Sequence, residues 1–331
     1  MKILVISGFL GAGKTTFIRV LSERTDIKPV ILENEYASIN VDENILKNET
    51  GLSVWESTEN CICCTGKTDF ALNILTIANT IDPEYLIVEP TGVGYLSRVM
   101  DNIGKVEYER ISALSPVTVM DPQSFDRGMK LYKDLYRDHI LNAGTIILSK
   151  CDILRDRELI NRVKNELKEI NPDARILSTD YRQEGDDFFK KLIEEGGSFA
   201  GIVGNPGSEG EGPAFEEVSI MNASAGSMGE LVFFMEELLH FRYGHIVRAK
   251  GTVRVGRELL RVDLSDVRYM ITAAEEKAAS GFVLIGEEMD DRAVRMKLSY
   301  RADPDPAETG KDKPDKKGMR IFGRADRFAK E

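Results

Sequence analysis

The first 24 residues of the chain place an apolar strand, a glycine-rich loop and a helix in direct succession. Residues 2–7 (KILVIS) are typical of a buried parallel strand, and residues 17–24 carry apolar side chains at helical spacing. Between them, GFLGAGKTT at residues 8–16 fits the pattern G-x-x-x-x-G-K-[ST]. The glycines let successive backbone N–H groups converge on phosphate oxygens at the positive end of the helix dipole. A glycine-rich turn with a chance lysine would lack these flanks, so the sequence predicts a nucleoside triphosphate site.

The pattern also assigns roles within the loop. Lys14 is expected to bridge the β- and γ-phosphates, the Thr15 hydroxyl to bind Mg2+, and Thr16 to lie towards the α-phosphate. The remaining nucleotide contacts predicted for this loop come from Gly8, Gly11, Ala12 and Gly13.

Length and composition narrow the classes of protein. With 331 residues, of which 42% are hydrophobic, the chain can build two domains with real cores. The net charge of −11 argues against nucleic acid or an anionic membrane as the main partner. We find no apolar run of about 18 residues, and the N-terminus is already a predicted strand. We therefore expect a cytoplasmic protein that does not span a membrane.

Residues 1–198 alternate short apolar runs with helical stretches. This pattern predicts an α/β domain on a doubly wound, mainly parallel sheet of the P-loop NTPase type. After the first strand, further strands are predicted at residues 29–33, 52–56, 85–89, 116–120, 145–149 and 174–178. Helices after the first are predicted at residues 69–80, 124–141, 156–170 and 186–194.

The C-terminal third has a different pattern. Residues 199–214 are rich in Gly, Ser, Pro and Glu and predict a linker. Residues 215–300 predict a smaller α+β domain with a mostly antiparallel sheet. Residues 301–331 are charged and contain several prolines, so we expect a disordered tail there.

A second candidate site motif is LIVEPTG at residues 86–92. An apolar strand ends in Glu89, which in phosphate-loop proteins reaches Mg2+ directly or through water, and the N–H of Gly92 touches the γ-phosphate. Loss of that phosphate would release the Gly92 contact, which makes this turn a candidate switch. Taken alone, the same pattern would also fit an ordinary strand-to-loop junction. Because the motif follows a phosphate loop in the sequence, we favour the interpretation as a switch turn.

The sequence IILSKCD at residues 146–152 resembles the guanine-reading pattern N-K-x-D, with Ser149 at its first position. A carboxylate at Asp152 would accept both N1–H and N2–H of guanine, whereas adenine would set a lone pair against it. The Lys150 stem can lie along the base. Ser149 braces the loop less well than Asn would, so GTP is favoured over ATP without ATP being excluded.

The loop after the second strand, ENEYASINVD at residues 33–42, is acidic and polar. It stands where a first switch loop would reach Mg2+ or the γ-phosphate. Glu35 and Asp42 are the candidate ligands, although a solvated loop would have the same composition.

Three of the four cysteines lie in the sequence CICC: Cys61, Cys63 and Cys64. This is not the pattern of a secreted disulfide framework. A turn at Thr65 and Gly66 would let the three thiols converge near the start of the next helix, whose positive end favours thiolates. Three thiolates suit Zn2+, with Co2+ and Cu+ as further candidates. A redox-sensing thiol pair and simple packing are the alternatives.

Together these motifs resemble CobW-like GTPases of the CobW/HypB/UreG family. The resemblance is carried by residues 8–16, 34–36 with Asp42, 61–64, 89–92 and 149–152, and it spans the whole first domain. The C-x-C-C between the first switch and the Glu-Pro-Thr-Gly sequence is its specific part. Asn60 stands where glycine is usual, Ser149 replaces the common Asn, and a histidine-rich stretch is absent.

The resemblance implies a metallochaperone that hydrolyses GTP with Mg2+ and delivers Zn2+ or Co2+ to a client metalloprotein or a cofactor-assembly protein. Lys14, Thr15, Glu89 and Glu35 are the candidate catalytic residues, and a homodimer is left open. Two alternatives remain at this point. One is a GTP-controlled switch or activator of a metal- or cobalamin-dependent enzyme, without metal delivery. The other is a small-molecule kinase with the same phosphate loop.

Overall fold

The computed structural model describes residues 1–33, 53–56, 67–154, 156–194, 215–265, 268–274, 280–299 and 321–324. The described residues divide into two compact units, the first up to Glu194 and the second from Phe215 onwards. The predicted linker at residues 199–214 lies outside the described residues. Among the helices that are described, none is both long and apolar enough to cross a membrane.

The first unit is an α/β domain whose described elements alternate along the chain. Its strands are β1 (Lys2–Ser7), β2 (Val30–Glu33), β3 (Ser53–Glu56), β4 (Tyr85–Glu89), β5 (Ser112–Ala113), β6 (Val117–Met120), β7 (Thr145–Leu148) and β8 (Arg175–Leu177). Its helices are α1 (Lys14–Thr25), α2 (Lys67–Thr80), α3 (Leu96–Gly104), α4 (Phe125–Leu131), α5 (Lys133–Leu141), α6 (Arg157–Ile170) and α7 (Asp186–Glu194), with a 3-10 turn at Tyr181–Gln183.

These strands form one parallel sheet in the order β3-β2-β4-β1-β6-β7-β8, with β5 beside β1. The strand order reverses on the two sides of β1, so the sheet is doubly wound, as predicted. Loops that leave the carboxyl ends of β1 and its neighbours meet in a crevice there. The phosphate loop follows β1, and therefore lies at this crevice.

Alternate side chains of the parallel strands pack on opposite faces of the sheet. On β1, Leu4 and Ile6 belong to a buried cluster that includes side chains of α1 and α7. Ile3 and Val5 belong to a second cluster that includes side chains of α2 and α3. Helices thus cover both faces, which explains why these strands are continuous apolar runs in the sequence.

The prediction of one helix over residues 124–141 is wrong, because α4 and α5 are separate helices. Tyr132 between them has φ −128° and ψ 45°. Gly128 of α4 faces Tyr136 of α5, and a Cβ at Gly128 would lie 1.9 Å from the ring of Tyr136. The glycine therefore allows the two helices to pack closely, which local periodicity does not encode.

Helix α3 was not predicted, although its sequence has a helical pattern. Leu96, Val99, Met100 and Ile103 are spaced on one helical face, and all are at most 2% exposed. This spacing is the signal that would have identified the helix.

The second unit contains an antiparallel sheet, as predicted for a smaller α+β domain. Its order is β15-β13-β12-β11-β14-β9, and the short β10 pairs in parallel with β11. The strands are β9 (Glu216–Met221), β10 (Ser224–Ala225), β11 (His245–Val255), β12 (Glu258–Ser265), β13 (Arg268–Ala273), β14 (Gly281–Glu287) and β15 (Ile321–Arg324). The helices are α8 (Met228–Leu239) and α9 (Asp291–Lys297). Apolar residues of α8 and of the sheet form the core of this unit.

Within the predicted tail of residues 301–331, the structure describes one element, strand β15. Ile321–Arg324 pairs antiparallel with β13, so that Ile271 lies opposite Ile321 and Arg268 opposite Arg324. The four-residue sequence IFGR supplies strand-forming residues within a charged segment, and backbone pairing with β13 provides the order that composition alone did not indicate. The rest of the predicted tail lies outside the described residues.

Candidate nucleotide-binding site

The phosphate loop is a tight turn whose shape depends on glycines. Gly8 has φ 139°, and a Cβ there would lie 2.1 Å from the carbonyl oxygen of Val119. Gly11 and Gly13 also have positive φ, at 70° and 100°. Helix α1 begins at Lys14, directly after the turn. The structure therefore brings the predicted loop residues together at the N-terminus of a helix, the arrangement that favours phosphate binding.

Lys14 lies over its own loop. Its Nζ donates hydrogen bonds to the carbonyl oxygens of Gly8 (3.0 Å) and Phe9 (3.4 Å). The residue is only 7% exposed. The ammonium group is thus held at the phosphate loop, whereas Thr16 on the same helix is exposed.

The structure pairs Thr15 with Glu89, the two described residues that the sequence analysis proposes as Mg2+ ligands. The Thr15 hydroxyl lies 3.0 Å from Oε1 and 3.2 Å from Oε2 of Glu89. The pairing follows from the sheet, because β1 and β4 are hydrogen-bonded neighbours. Hydroxyl and carboxylate oxygens are the hard ligands that Mg2+ prefers, so the two side chains fit this ion.

Gly92 lies against the phosphate loop. A Cβ at this position would be 2.5 Å from the backbone nitrogen of Leu10. The turn is closed by the Gly94 N–H, which donates to the carbonyl of Thr91 (3.0 Å). The predicted switch turn is therefore in direct backbone contact with the loop that would hold the phosphates.

On the other side of β1, Lys150 connects the loop after β7 to the phosphate loop. Its Nζ donates to the carbonyl of Gly11 (2.8 Å) and to Oδ2 of Asp121 (2.9 Å). The side chain of Ser149 is buried, and its Oγ donates to the carbonyl of Met120 (3.2 Å). Ser149 thus braces the loop through a backbone carbonyl.

Asp152 lies in the turn that follows Lys150, and its Oδ2 accepts a hydrogen bond from Nη1 of Arg182 at 3.0 Å. The motif at residues 146–152 predicts Asp152 as a site residue, but it contains neither Asp121 nor Arg182. Asp121 follows the carboxyl end of β6, so the convergence of parallel strand ends at one edge is the signal that would have indicated it. For Arg182 we find no comparable signal.

A buried polar group lies beside β1. Nδ1 of His139 is 3.3 Å from the Ser7 hydroxyl, and Ser7 in turn lies 2.9 Å from the Thr118 hydroxyl. Burial, together with the charge of Lys14, lowers the pKa of His139 to about 3. The imidazole is therefore neutral at physiological pH and belongs to the support of the strand that leads into the phosphate loop.

The fourth cysteine of the chain, Cys151, is half-buried within the turn. Its Sγ lies 3.2 Å from the carbonyl of Leu148. Burial, followed by the charges of Asp121 and Asp152, raises its pKa to about 11. A protonated thiol is a poor metal ligand, so Cys151 is a packing residue here.

Five predicted site residues lie outside the described residues: Glu35, Asp42, Cys61, Cys63 and Cys64. Within the described part of the chain, no group of three or more His, Cys, Asp and Glu side chains is placed to hold a metal ion.

Comparison with known proteins gives the family. The profile described as CobW/HypB/UreG, nucleotide-binding domain, matches residues 2–178, which is more than half of the chain. The chain belongs to the CobW/HypB/UreG family. The resemblance stated from the motifs is thereby confirmed, and the phosphate loop, Glu89, Gly92 and Asp152 all lie within the matched range.

Curated relatives of this CobW/HypB/UreG protein include proteins named for zinc. "Zinc-regulated GTPase metalloprotein activator 1" of Dictyostelium discoideum is 27% identical over 217 residues, which cover 54% of this chain and 45% of the relative. "Zinc chaperone YeiR" of Escherichia coli is 28% identical over 151 residues, or 45% of this chain and 46% of the relative. The chain thus spans less than half the length of these two relatives. "Zinc chaperone CobW" of Sinorhizobium sp is 24% identical over an alignment of 340 positions, which covers 89% of this chain and 95% of the relative.

Among solved structures, Zn(II)-bound YjiA GTPase from E. coli aligns with 90% of this chain and 97% of its own. The sequence identity is 19% and the TM-score is 0.44.

Proposed function

We propose that this chain is a GTP-hydrolysing metallochaperone that binds Zn2+ at its C-x-C-C sequence and delivers it to a client metalloprotein or cofactor-assembly protein in the cytoplasm. One observation carries the GTPase part of the proposal. Lys14, the Thr15–Glu89 pair and Gly92 lie at the phosphate loop, and Lys150 connects that loop to the turn that carries Asp152. Membership of a family with a nucleotide-binding domain supports the same conclusion.

Each described group has a distinct task in hydrolysis. Lys14 supplies positive charge where the β- and γ-phosphates would lie, and it is already held there by loop carbonyls. Thr15 and Glu89 would hold Mg2+, which when bound offsets the charge on the phosphate oxygens. Water attacks the γ-phosphorus in line as the bond to the β–γ bridging oxygen breaks, which gives inorganic phosphate and GDP, and the surplus proton passes to solvent. The charge that develops on GDP is stabilised by the loop N–H groups and Lys14. We propose Glu35 and Asp42 as further contacts to Mg2+ or the γ-phosphate.

The contact between Gly92 and Leu10 supports a link between phosphate occupancy and a moving turn. In the sequence, the C-x-C-C segment begins at Cys61, after β3 has ended at Glu56, and it precedes α2, which begins at Lys67. Glu56 at the end of β3 is in register with Glu33 of β2, and Glu33 with Glu89 of β4. The chain therefore leaves β3, towards the C-x-C-C sequence, at the same edge of the sheet as Glu89. We propose that GTP fixes the geometry of Cys61, Cys63 and Cys64, and that hydrolysis loosens it.

Base selectivity is tested by replacing Asp152. The substitution Asp152→Asn exchanges a carboxylate for an amide whose N–H can donate to the C2 carbonyl of xanthine. We expect the variant to lose GTP affinity and to gain affinity for XTP. Equal affinities of the wild type for GTP and ATP, or no change on substitution, would refute guanine reading by Asp152.

Coupling to the metal is tested by anaerobic Zn2+ titration of the protein without nucleotide, with GDP and with a non-hydrolysable GTP analogue. We expect Zn2+ affinity to be at least about fivefold higher with the analogue, the low end of typical coupling between sites. Cys63→Ser should abolish this stoichiometric site, while Cys151→Ser, which removes the one cysteine outside the cluster, should keep it. Equal affinity in all three nucleotide states would exclude the chaperone.

Delivery is tested by following Zn2+ transfer to a chelator during a single turnover of GTP. A chaperone releases the ion at the rate of hydrolysis and keeps it with the non-hydrolysable analogue. A switch without metal delivery keeps the ion in both cases. A small-molecule kinase would require an acceptor for turnover and would be insensitive to Cys63→Ser.

A further inference from the structure

Arg182 is the described residue that contacts the side chain of Asp152, the proposed reader of the base. Its Nη1 lies 3.0 Å from Oδ2, and its Nε lies 4.0 Å from Oδ1 of Asp180. The Arg182 side chain is 47% exposed and that of Asp152 25% exposed. We propose that Arg182 is a positioning residue for base selectivity, because it fixes the plane of the Asp152 carboxylate. The inference rests on the proposed reading of guanine by Asp152.

The need for such a residue follows from the geometry of the base edge. Guanine offers N1–H and N2–H in one plane, so a carboxylate accepts both only when its own plane matches that of the base. The terminal torsion of an aspartate side chain is broad and is poorly fixed by its own rotamer preference. A donor on Oδ2 restricts that rotation. Each carboxylate oxygen has two lone-pair sites, so the bond from Arg182 leaves sites for the base.

The backbone of Arg182 is itself held in place. Its N–H donates to Oδ1 of Asp180 (3.1 Å), and its carbonyl accepts from Nη2 of Arg24 (2.7 Å). Tyr181 next to it is 3% exposed and packs edge-on against Phe17, with ring centroids 5.2 Å apart. Arg24 and Phe17 both belong to α1. The 3-10 turn is therefore attached to the helix that begins at the phosphate loop. Through its hydrogen bond to Asp152, Arg182 fixes the position of the Asp152 carboxylate relative to that helix.

The charges around Asp152 favour the same role. The guanidinium lies between the carboxylates of Asp152 and Asp180, and thereby reduces the repulsion between them. Without Arg182, the Asp152 side chain would turn away from Asp180. Arg182 thus keeps the Asp152 carboxylate correctly turned.

The test is the affinity of the full chain for GDP, IDP and ADP, measured by calorimetry, so that hydrolysis plays no part. IDP lacks the 2-amino group and offers one donor, which does not require a fixed carboxylate plane. We expect Arg182→Ala to weaken GDP binding about fivefold, the upper range for a partly exposed charged pair, and IDP binding less than twofold. Arg162→Ala is the matched control, because Arg162 is 46% exposed and pairs with Asp126 and Glu166.

A second comparison places Arg182→Ala in an Asp152→Ala background, where the GDP-to-IDP ratio should no longer respond to Arg182. Equal weakening of GDP and IDP would show a general charge or folding effect and overturn the proposal. Tighter GDP binding would show that Arg182 competes with the base, and would overturn it as well. If Asp152→Ala itself leaves the GDP-to-ADP ratio unchanged, the reading of guanine by Asp152 fails, independently of Arg182.

Discussion

Replacement of His139 by Asn tests how the buried imidazole supports the first strand. His139 is 1% exposed, and its Nε2 has no hydrogen-bond partner among the described residues. Its pKa falls from 6.5 to about 3, first through burial and then through the charge of Lys14. Below pH 6.5 the unfolded chain therefore binds a proton that the folded protein does not. The stability that depends on neutral His139 is present above pH 6.5 and is lost as the pH falls.

The size of this effect follows from the two pKa values. At pH 5 the unfolded histidine is almost fully protonated, whereas the folded one binds almost no proton. One pKa unit corresponds to about 1.4 kcal/mol. Protonation of the unfolded histidine therefore lowers the free energy of unfolding by about 2 kcal/mol at pH 5 and by almost nothing at pH 8. The free energy of unfolding of the wild type minus that of His139→Asn should thus decrease by about 2 kcal/mol from pH 8 to pH 5.

The assay is urea unfolding followed by tryptophan fluorescence. The chain has one tryptophan, Trp55, which lies on β3 of the first unit, so the signal reports on the unit that contains His139. The pKa of the adjacent Asp138 is raised by burial and contributes with opposite sign, but Asp138 is present in both proteins and cancels in the difference. His240→Asn, at an exposed position, controls for the loss of a histidine as such. A difference that stays constant from pH 8 to pH 5 would refute the reasoning.

Two further predictions concern the nucleotide site. Gly92→Ala places a Cβ 2.5 Å from the backbone nitrogen of Leu10. The rate of GTP hydrolysis should therefore fall about tenfold, in line with the 1–3 kcal/mol typical of overpacking. Gly104→Ala is the control, because no atom lies within 4 Å of its new Cβ, and this variant should hydrolyse GTP like the wild type. Glu89→Gln removes the negative charge beside the Thr15 hydroxyl. The Mg2+ concentration for half-maximal hydrolysis should therefore rise severalfold, while GDP binding in the absence of Mg2+ is retained. An unchanged Mg2+ requirement would show that Glu89 does not contribute to Mg2+ binding.

Much of the first unit could be predicted because its signals are local. Continuous apolar runs reveal strands buried on both faces, and the strand–loop–helix pattern places Lys14 and Thr15 without knowledge of the rest. The contacts of the base site are different, since Arg182 is 30 residues from Asp152 and Asp121 is 29 residues from Lys150. Such contacts are created by strand order, which places distant loops at the same edge.

The helices also show that local sequence patterns do not predict contacts between separate elements. Residues 124–141 have helical periodicity throughout, yet the helix is interrupted at Tyr132. The ring of Tyr136 on α5 then packs against Gly128 of α4. Conversely, the apolar side chains of α3 are spaced on one helical face, so the local pattern is sufficient to predict this helix. For β15 the missing information was the partner strand, which is provided by another part of the chain.

The position of β15 at the rim of the second sheet has a practical consequence for protein production. A truncation before Ile321 would leave the outer backbone groups of β13 unpaired, and an uncovered strand rim is a template for self-association. Purification tags are therefore better placed at the N-terminus, and a shortened chain should be examined by light scattering before any loss of function is attributed to its tail.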